Sequence, residues 1–552
     1  MRLRLGSRVL AVFATWLFAA SALAQLAPTG PSFGSPAVPE VRFSTSVVQD
    51  LLVRGQQLES QRRWGEALSH YESAVRTYPQ ARELADRLAI SRVRYDLSRR
   101  YIDSTFRESL TALTSEQALD LYAEVLLKVQ AHYVDAPNWT QLVATGRQGF
   151  DLALTDPVFL EHNIPAVAPA QVDYCRRNFP AWQPLTTIDS RYTARSFVAT
   201  AARMAREQLG VSEQAVVMEY MCGMTTALDP YSAYLTAGQL NEVYSQIEGN
   251  FVGLGVELKA ADGALAIVKV ITGSPAAQGG VRAGDRIVAV DGRATDNLST
   301  DQAASLLQGV EGSMVDVTLV TQGYAPRTVR LRRSQVEVPS VDDAKMVDQA
   351  AGVAYLKMTC FQKTTSRDLD AALWQLHRQG MRSLIIDLRG NPGGLLTTSV
   401  EVADKFIDRG LIVRTRGRSK QEDFDYSAHS QGTWRVPLVV LIDGDSASAS
   451  EIFAGAIRDH GRGVIVGERS YGKGSVQGIF PLNLASSGLR LTTAKFYSPK
   501  LLPYSGVGVE PNVPVVTAAK PVMEGMVAAP TPDQDAAFEA AVTVARNKVA
   551  RR

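Results

Sequence analysis

Residues 436–477 constrain the fold of this chain more than any other segment. Residues 437–442 are a near-continuous apolar run, which is typical of a strand covered on both faces. The turn Asp443-Gly444-Asp445 follows, then Ser446-Ala-Ser-Ala-Ser450-Glu451, then apolar residues at helical spacing. The pattern predicts a strand, a tight turn and a helix. It therefore places a serine at the end of a rigid strand, beside the free N–H groups of a helix start.

A second apolar run, residues 463–467, leads to a lysine between two glycines, Gly472-Lys473-Gly474. Burial disfavours the charged ammonium and can lower a lysine pKa by several units. A neutral amine can then take the proton of a serine hydroxyl. Taken separately, a serine-rich helix start is usually a cap, and Gly-Lys-Gly is usually a surface turn. Taken together, the two motifs are compatible with a serine nucleophile and a lysine base.

The combined motif resembles that of the C-terminal processing (tail-specific) serine peptidases, in which Ser-Ala-Ser-Ala-Ser-Glu precedes Gly-Lys-Gly-x-x-Gln. The resemblance implies that Ser448 is the nucleophile and Lys473 the base of a Ser–Lys dyad. It also implies that Gln477, four residues after the lysine, orients the amine. The similarity extends over residues 129–515, apart from one interrupted stretch.

Strand and helix patterns alternate from residue 351, which predicts an α/β peptidase core over residues 340–520. The predicted strand at 383–388 runs into residues 387–394, which look like the family's Arg-x-Asn-Pro-Gly-Gly turn. Loops at the carboxyl ends of strands carry the chemistry of such sheets. We expect an N–H of Gly393 or Gly394 to form the oxyanion hole with that of Ala449. A purely structural turn is the alternative.

A Ser-His-Asp mechanism is the main alternative, because Asp459 and His460 follow Ser448 by about twelve residues. On a helix that begins near Ser448, however, His460 would lie about 18 Å away along the axis. Lys473 therefore stays the expected base. Some relatives place an acid at the position of Asp459, which receives a supporting role only.

Residues 248–335 change to short strands and glycine turns, and they resemble a PDZ domain, a partly open β-barrel. Such a domain takes an extended chain end as an added strand, while loop N–H groups hold the terminal carboxylate. Glycines that serve only turns are the alternative. The residues expected to bind the chain end are Phe251, Val252, Gly253, Leu254, Gly255 and Val256 of the loop and first strand, and Ala304 and Leu307 of the helix.

A candidate signal peptide occupies residues 1–24. Arg2, Arg4 and Arg8 precede a twelve-residue apolar run and the small-residue pattern Ala22-Leu-Ala24. The run is too short to cross a bilayer comfortably, although an uncleaved anchor is an alternative. We expect cleavage, export to the periplasm or another extracytoplasmic space, and no transmembrane span in the mature chain. Residues 25–45, rich in Pro, Gly and Ser, predict a flexible linker.

Helical periodicity dominates residues 46–245. Residues 46–113 predict a helical arm in which Gly55, Leu58, Ala67, Tyr71, Ala74 and Pro79 have the spacing of a tetratricopeptide repeat, although a generic helical hairpin is the alternative. One repeat cannot form a solenoid, so the arm should pack on something else. Residues 114–245 are similar to the family's helical segment but are interrupted at 151–187. Residues 521–552 predict a linker and a C-terminal helix without an assigned role.

Composition excludes other classes of function. Lys and Arg number 58 against 56 Asp and Glu, and removal of the three leader arginines leaves 55 against 56. This balance does not suggest nucleic-acid binding. The cysteines Cys175, Cys222 and Cys360 are widely spaced, which predicts neither a disulfide framework nor a metal cluster, although one bridge stays open in an exported protein.

The sequence thus predicts an exported serine endopeptidase without metal or cofactor, whose PDZ domain captures nonpolar protein C-termini and presents a nearby bond to Ser448. A catalytically silent scaffold that recruits partners through the arm and the PDZ domain is one alternative. A peptidase that is active only when an adaptor protein binds the arm is another. The sequence is also compatible with a homo-oligomer.

Overall fold

The computed structural model of the chain describes residues 45–261, 264–295, 306–321, 323–515 and 535–550. Outside these ranges lie the predicted signal peptide, nearly all of the predicted linker at 25–45, the predicted linker that begins at residue 521, and Ala304. The helices are α1 Thr45–Ser60, α2 Trp64–Thr77, α3 Arg82–Ile102, α4 Ser104–Ala112, α5 Ser115–His132, α6 Trp139–Ala153, α7 Pro157–Asn163, α8 Pro169–Trp182, α9 Arg191–Leu209, α10 Glu213–Thr225, α11 Ala237–Glu248, α12 Pro275–Gln278, α13 Thr365–Arg378, α14 Leu396–Asp404, α15 Ala449–Asp459 and α16 Ala536–Ala550.

The strands form four sheets. They are β1 Ala233–Leu235, β2 Asn250–Gly253, β3 Val256–Ala261, β4 Ala264–Val270, β5 Arg286–Val290, β6 Arg293–Ala294, β7 Met314–Val320, β8 Arg327–Arg332, β9 Ser334–Glu337, β10 Val341–Asp348, β11 Val353–Met358, β12 Ser383–Asp387, β13 Gly410–Gly417, β14 Phe424–Ala428, β15 Leu438–Ile442, β16 Gly463–Gly467, β17 Ser475–Pro481, β18 Gly488–Tyr497 and β19 Val513–Pro514. No helix among the described residues has the length and apolar character that a membrane crossing requires.

The arm begins with a hairpin of α1 and α2, on which α3 packs. Small residues allow α1 and α2 to approach closely. A Cβ atom on Gly55 would lie 2.1 Å from Cζ of Tyr71, so the tyrosine ring lies directly against the backbone of α1. Tyr71 and Ala67 are fully buried there. The helical hairpin agrees with the sequence, and its assignment to the tetratricopeptide class stays a prediction.

We predict that Gly55→Ala destabilises the protein by about 1 to 3 kcal/mol, because the added methyl group has no space beside the buried Tyr71 ring. The better helix propensity of alanine offsets part of this cost, by about 1 kcal/mol at most. Urea unfolding measures the difference. The neighbouring exposed residue provides the control, Gln56→Ala, which should leave the unfolding free energy nearly unchanged. A Gly55→Ala variant as stable as Gln56→Ala would contradict this packing.

The helical segment α5–α10 has its own core around α10, all of whose residues from Ala215 to Thr225 are buried. Helix α6 approaches α10 closely, because a Cβ on Gly149 would lie 2.8 Å from Cα of Gly223. The interrupted stretch at 151–187 is helical as well: Pro157 and Pro169 lie in the first turns of α7 and α8, where a proline is well tolerated. Cys175 and Cys222 are buried in this core as free thiols.

The segment predicted to be a PDZ domain contains a five-stranded path in the order β3-β4-β5-β7-β8, with β6 paired to β5. Strand β3 ends this path, and among the described residues it pairs with β4 alone. An unpaired edge of this kind is able to accept an additional strand. Strands β2 and β9 form a separate ribbon at the junction with the core.

The predicted peptidase core contains a six-stranded sheet in the order β10-β11-β12-β15-β16-β19, parallel except for β10. Alternate residues of each strand face opposite layers. Leu384, Ile386 and Val440 pack on one side against α13, α14 and α15. Ile385 and Val439 pack on the other side against Ala537, Ala541 and Ala545 of α16. Burial on both faces explains the near-continuous apolar runs in the sequence.

A second sheet, β1-β18-β13-β14 with β17 also on β18, joins the helical segment to the core. Strand β1 comes directly after the helical segment and pairs with β18 through Ala233 and Arg490. The Val134 N–H donates to the Thr492 carbonyl, and the Arg490 guanidinium donates to the Tyr231 carbonyl. These bonds place residues 229–235 beside the loop that carries Lys473.

Candidate active site

The segment between β15 and α15 distinguishes the middle serine of its three. The Ser446 hydroxyl donates to the Leu388 carbonyl at 2.8 Å, and the Ser450 hydroxyl donates to the Asn391 carbonyl at 3.0 Å. Both side chains are buried, whereas Ser448 is partly exposed. The outer serines therefore hold the turn together, and the middle one is accessible to a substrate.

Ser448 also has an unusual backbone, with φ 56° and ψ −112°. A conformation of this kind costs a residue with a side chain about 1 to 3 kcal/mol and persists only where the surroundings enforce it. Here the Ser448 N–H donates to Oε2 of Glu451 at 2.7 Å. The strained residue lies at the junction between β15 and α15, where Ser448 is partly exposed.

Lys473 is 5% exposed, in the loop between β16 and β17. Its Nζ atom lies 4.7 Å from the centre of the Tyr231 ring. Burial, reinforced by the positive charge of Arg490, lowers the pKa of Lys473 to about 7, against the opposing charges of Glu451 and Asp229. A large share of this amine is therefore neutral near pH 7, as a general base requires.

Glu451 connects the two loops, and the sequence analysis assigned it no role. Its Oε2 accepts from the backbone N–H groups of Ser448 and Lys473, at 2.7 and 2.9 Å. Its Oε1 accepts from the Ser470 hydroxyl and the Gly472 N–H, both at 2.6 Å. Burial raises the pKa of Glu451 to about 7, although the four donors favour the carboxylate. A serine followed three positions later by a glutamate at a helix start is the sequence pattern that could have identified it.

The turn that carries Gly393 and Gly394 packs directly on the loop that carries Ser448. A Cβ on Gly393 would lie 2.7 Å from the Ala447 carbonyl oxygen and 2.8 Å from the Ala449 nitrogen, so this close approach requires glycine. The turn is tied to the loop by the Ala447 N–H, which donates to the Asn391 carbonyl at 3.0 Å. Positive φ angles, 103° at Gly393 and 142° at Gly394, add to the need for glycine.

Hydrogen bonds within the turn distinguish the three predicted oxyanion-hole donors. The Gly393 N–H donates to the side-chain oxygen of Asn391 at 2.9 Å, so it is already engaged within the turn. Within the described residues, the N–H groups of Gly394 and Ala449 donate to no protein acceptor. Gly394 and Ala449 therefore remain the candidates for binding a developing oxyanion.

The other predicted catalytic residues are placed as follows. Gln477 lies at the start of β17, and its amide nitrogen donates to Ser475 Oγ at 3.0 Å and Thr492 Oγ1 at 3.3 Å. Asp459 lies at the opposite end of α15 from Ser448, roughly 16 Å along the axis. Its carboxylate accepts from the Lys500 N–H, and the His460 ring binds the Leu411 carbonyl. The structure thus does not bring Asp459 or His460 to the serine. No group of three metal-ligating side chains occurs in the described parts of the chain.

The predicted PDZ residues that the structure describes lie in β2, in the loop before β3, at the start of β3 and at Leu307. Leu254 and Leu307 are buried in the core of that domain, and Val256 packs against it. Gly255 has φ 77°, and a Cβ there would lie 2.3 Å from Cβ of Ser274. Arg333 donates to the carbonyls of Leu306 and Leu307. Phe251, Val252 and Gly253 belong to β2, which leads into the loop.

Comparison with known proteins assigns the segment around Ser448 and Lys473 and the predicted PDZ segment to known families. The sequence profile of peptidase family S41 matches residues 352–515, and that of the PDZ domain matches residues 267–321. The carboxy-terminal-processing protease of Bartonella bacilliformis is 35% identical over 309 residues, which cover 55% of this chain and 70% of that protein. The chain belongs to the carboxyl-terminal-processing proteases of peptidase family S41.

A second relative, the carboxyl-terminal-processing protease of a Picosynechococcus species, is 34% identical over 288 residues, 51% of this chain and 69% of that protein. Among solved structures, the photosystem II D1 C-terminal processing protease is 27% identical, with a TM-score of 0.38 over 72% of this chain and 93% of that one. Membership confirms the predicted serine peptidase with a PDZ domain. The S41 match contains both Ser448 and Lys473.

We predict that Glu451→Gln destabilises the protein by about 1.5 to 3 kcal/mol and lowers kcat/KM by about 100-fold. The amide offers a single acceptor oxygen and turns an NH2 group toward buried donors. Urea unfolding and peptide hydrolysis measure the two effects. Glu401→Gln, on the exposed face of α14, is the matched control and should change neither. Wild-type activity in Glu451→Gln would show that the carboxylate does not hold the loops.

Proposed function

We propose that this S41 protease is an endopeptidase that cleaves through an acyl-enzyme formed on Ser448, with Lys473 as the general base. One observation supports this most directly: a partly exposed, strained serine and a buried lysine are joined at their backbones through one carboxylate oxygen of Glu451. An interaction scaffold would need neither the strain at Ser448 nor the buried amine.

In the proposed reaction, neutral Lys473 takes the hydroxyl proton of Ser448 as its oxygen attacks the scissile carbonyl. The N–H groups of Gly394 and Ala449 stabilise the tetrahedral oxyanion. The lysine then gives its proton to the leaving amine, and water releases the acyl group in a second cycle of the same proton transfers. Gln477 is proposed to orient the amine from β17.

The proposed substrates are protein chains with nonpolar C-termini. The edge of β3 that no described strand covers can take the chain end as an added strand, and the loop at Leu254 and Gly255 can hold its carboxylate. The buried Leu307 and the half-buried Val256 supply an apolar lining. We also propose that the protein is exported by the leader at residues 1–24 and works outside the cytoplasm.

We predict that Ser448→Ala and Lys473→Ala each lower kcat by at least about 1,000-fold, and that the double variant loses no more than either single one. The losses coincide because both residues serve one proton transfer. Peptide hydrolysis measures the losses, and circular dichroism confirms folding.

Wild-type activity should rise with pH through about 7, because Lys473 must lose a proton to act and Glu451 must lose one to accept its four bonds.

A histidine base would give a rise in the same pH range, so the midpoint alone does not separate the two mechanisms. His460→Ala separates them and should keep wild-type activity. An inactive His460→Ala beside an active Lys473→Ala would replace the Ser–Lys mechanism with the histidine alternative.

We predict that a peptide substrate ending in small apolar residues loses about 10- to 100-fold in kcat/KM when its terminal carboxylate is amidated. The loop N–H groups then lose a charged partner worth about 1.5 to 3 kcal/mol. The control is the same pair of peptides extended by several polar residues, which amidation should leave equal. Equal cleavage of the free-acid and amidated apolar peptides would refute capture of the chain end.

A further inference from the structure

The end of α2 in the arm contacts both catalytic loops. Arg76, in the last turn of α2, places Nη1 3.6 Å from Oδ1 of Asp445. Its Cζ atom lies 5.0 Å from the centre of the Tyr471 ring. Asp445 precedes Ser448 by three residues, and Tyr471 precedes Lys473 by two. One side chain of the arm thus touches the nucleophile loop and the base loop.

A guanidinium suits this position. Its charge attracts the Asp445 carboxylate, and its flat face stacks on an aromatic ring, which an ammonium does less well. The two loops also meet beneath it, because the Tyr471 N–H donates to the Ser446 carbonyl at 3.0 Å. Arg76 and Asp445 are 48% and 44% exposed, so their pairing adds little to folding stability and its effect should lie in the placement of the loops.

The position of Arg76 is itself fixed by the rest of the arm. Glu72, one turn earlier on α2, is buried and forms an ion pair with Arg92 of α3 at 3.4 Å. Asp96 of helix α3 also lies near Arg490: burial lowers the pKa of Arg490 to about 10, and the Asp96 carboxylate opposes this shift. Arg490 in turn holds the carbonyl of Tyr231, the residue whose ring faces Lys473.

We propose that the arm is part of the catalytic unit, with Arg76 as a positioning residue that sets the nucleophile loop against the base loop. This inference rests on the proposed roles of Ser448 and Lys473. The arm lies outside residues 352–515, which match peptidase family S41, so the contacts of Arg76 are an addition to the family's peptidase domain. Helix α2, which lies far before the two loops in the sequence, accordingly completes the site.

The test compares Arg76→Met, which keeps the stem and removes the charge and the flat donor group, with Arg76→Lys, which restores the charge. Arg63→Met is the matched control, because Arg63 is 47% exposed and pairs with Glu66 within the arm. We expect Arg76→Met to lower kcat about 10-fold with KM within twofold, Arg76→Lys to recover part of the loss, and Arg63→Met to match the wild type. The melting temperatures of all three should agree within about two degrees.

A second measurement follows the labelling rate of Ser448 by a fluorophosphonate, which requires an aligned serine and lysine but no PDZ ligand. We expect labelling to slow about 10-fold in Arg76→Met. An equal or faster rate than in the wild type overturns the inference, and so does an equal loss in Arg63→Met. Asp445→Asn combined with Arg76→Met should lose less than the product of the two single losses. Labelling that persists in Ser448→Ala would instead refute the proposed nucleophile, which keeps the two failures distinct.

Discussion

The rest of the site depends on the four hydrogen bonds of the Glu451 carboxylate. Its two oxygens bind the Ser448 N–H on one side and the Ser470, Gly472 and Lys473 donors on the other. These donors belong to different loops, so one buried group sets their separation. A buried carboxylate is costly unless its hydrogen bonds are satisfied, and here each oxygen has two donors. The same contact supports the strained backbone that exposes the serine.

The electrostatics of Lys473, the proposed base, follow from its surroundings. Lys473 is buried against the Tyr231 ring, and the nearby Arg490 adds a like charge. Both burial and like charge disfavour the ammonium. The carboxylates of Glu451 and Asp229 oppose them, and the balance leaves the pKa of Lys473 at about 7. An amine with this pKa suits the proposed role of Lys473 as a general base.

The scaffold also positions the turn that carries Gly393 and Gly394. This turn follows β12 and binds the segment around Ser448 through the Leu388 and Asn391 carbonyls. On its outer side, Arg389 donates to both carboxylate oxygens of Asp535 at 2.8 Å, next to the start of α16. The C-terminal helix, which the sequence left without a role, therefore covers one face of the sheet and anchors the turn. Elements from both ends of the chain meet at this site.

The sequence by itself determined the elements and the motif. The apolar runs that became β11, β12 and β15 and the serine-rich junction before α15 were predictable, because hydrophobic period and turn residues are local signals. Only the tertiary structure decided which groups meet. The Gly393 N–H donates to the Asn391 side chain, and Asp459 lies at the opposite end of α15 from Ser448. Arg76 of the distant helix α2 contacts Asp445. Such contacts and the pKa values that follow from them depend on burial by elements far apart in the chain, which no local pattern encodes.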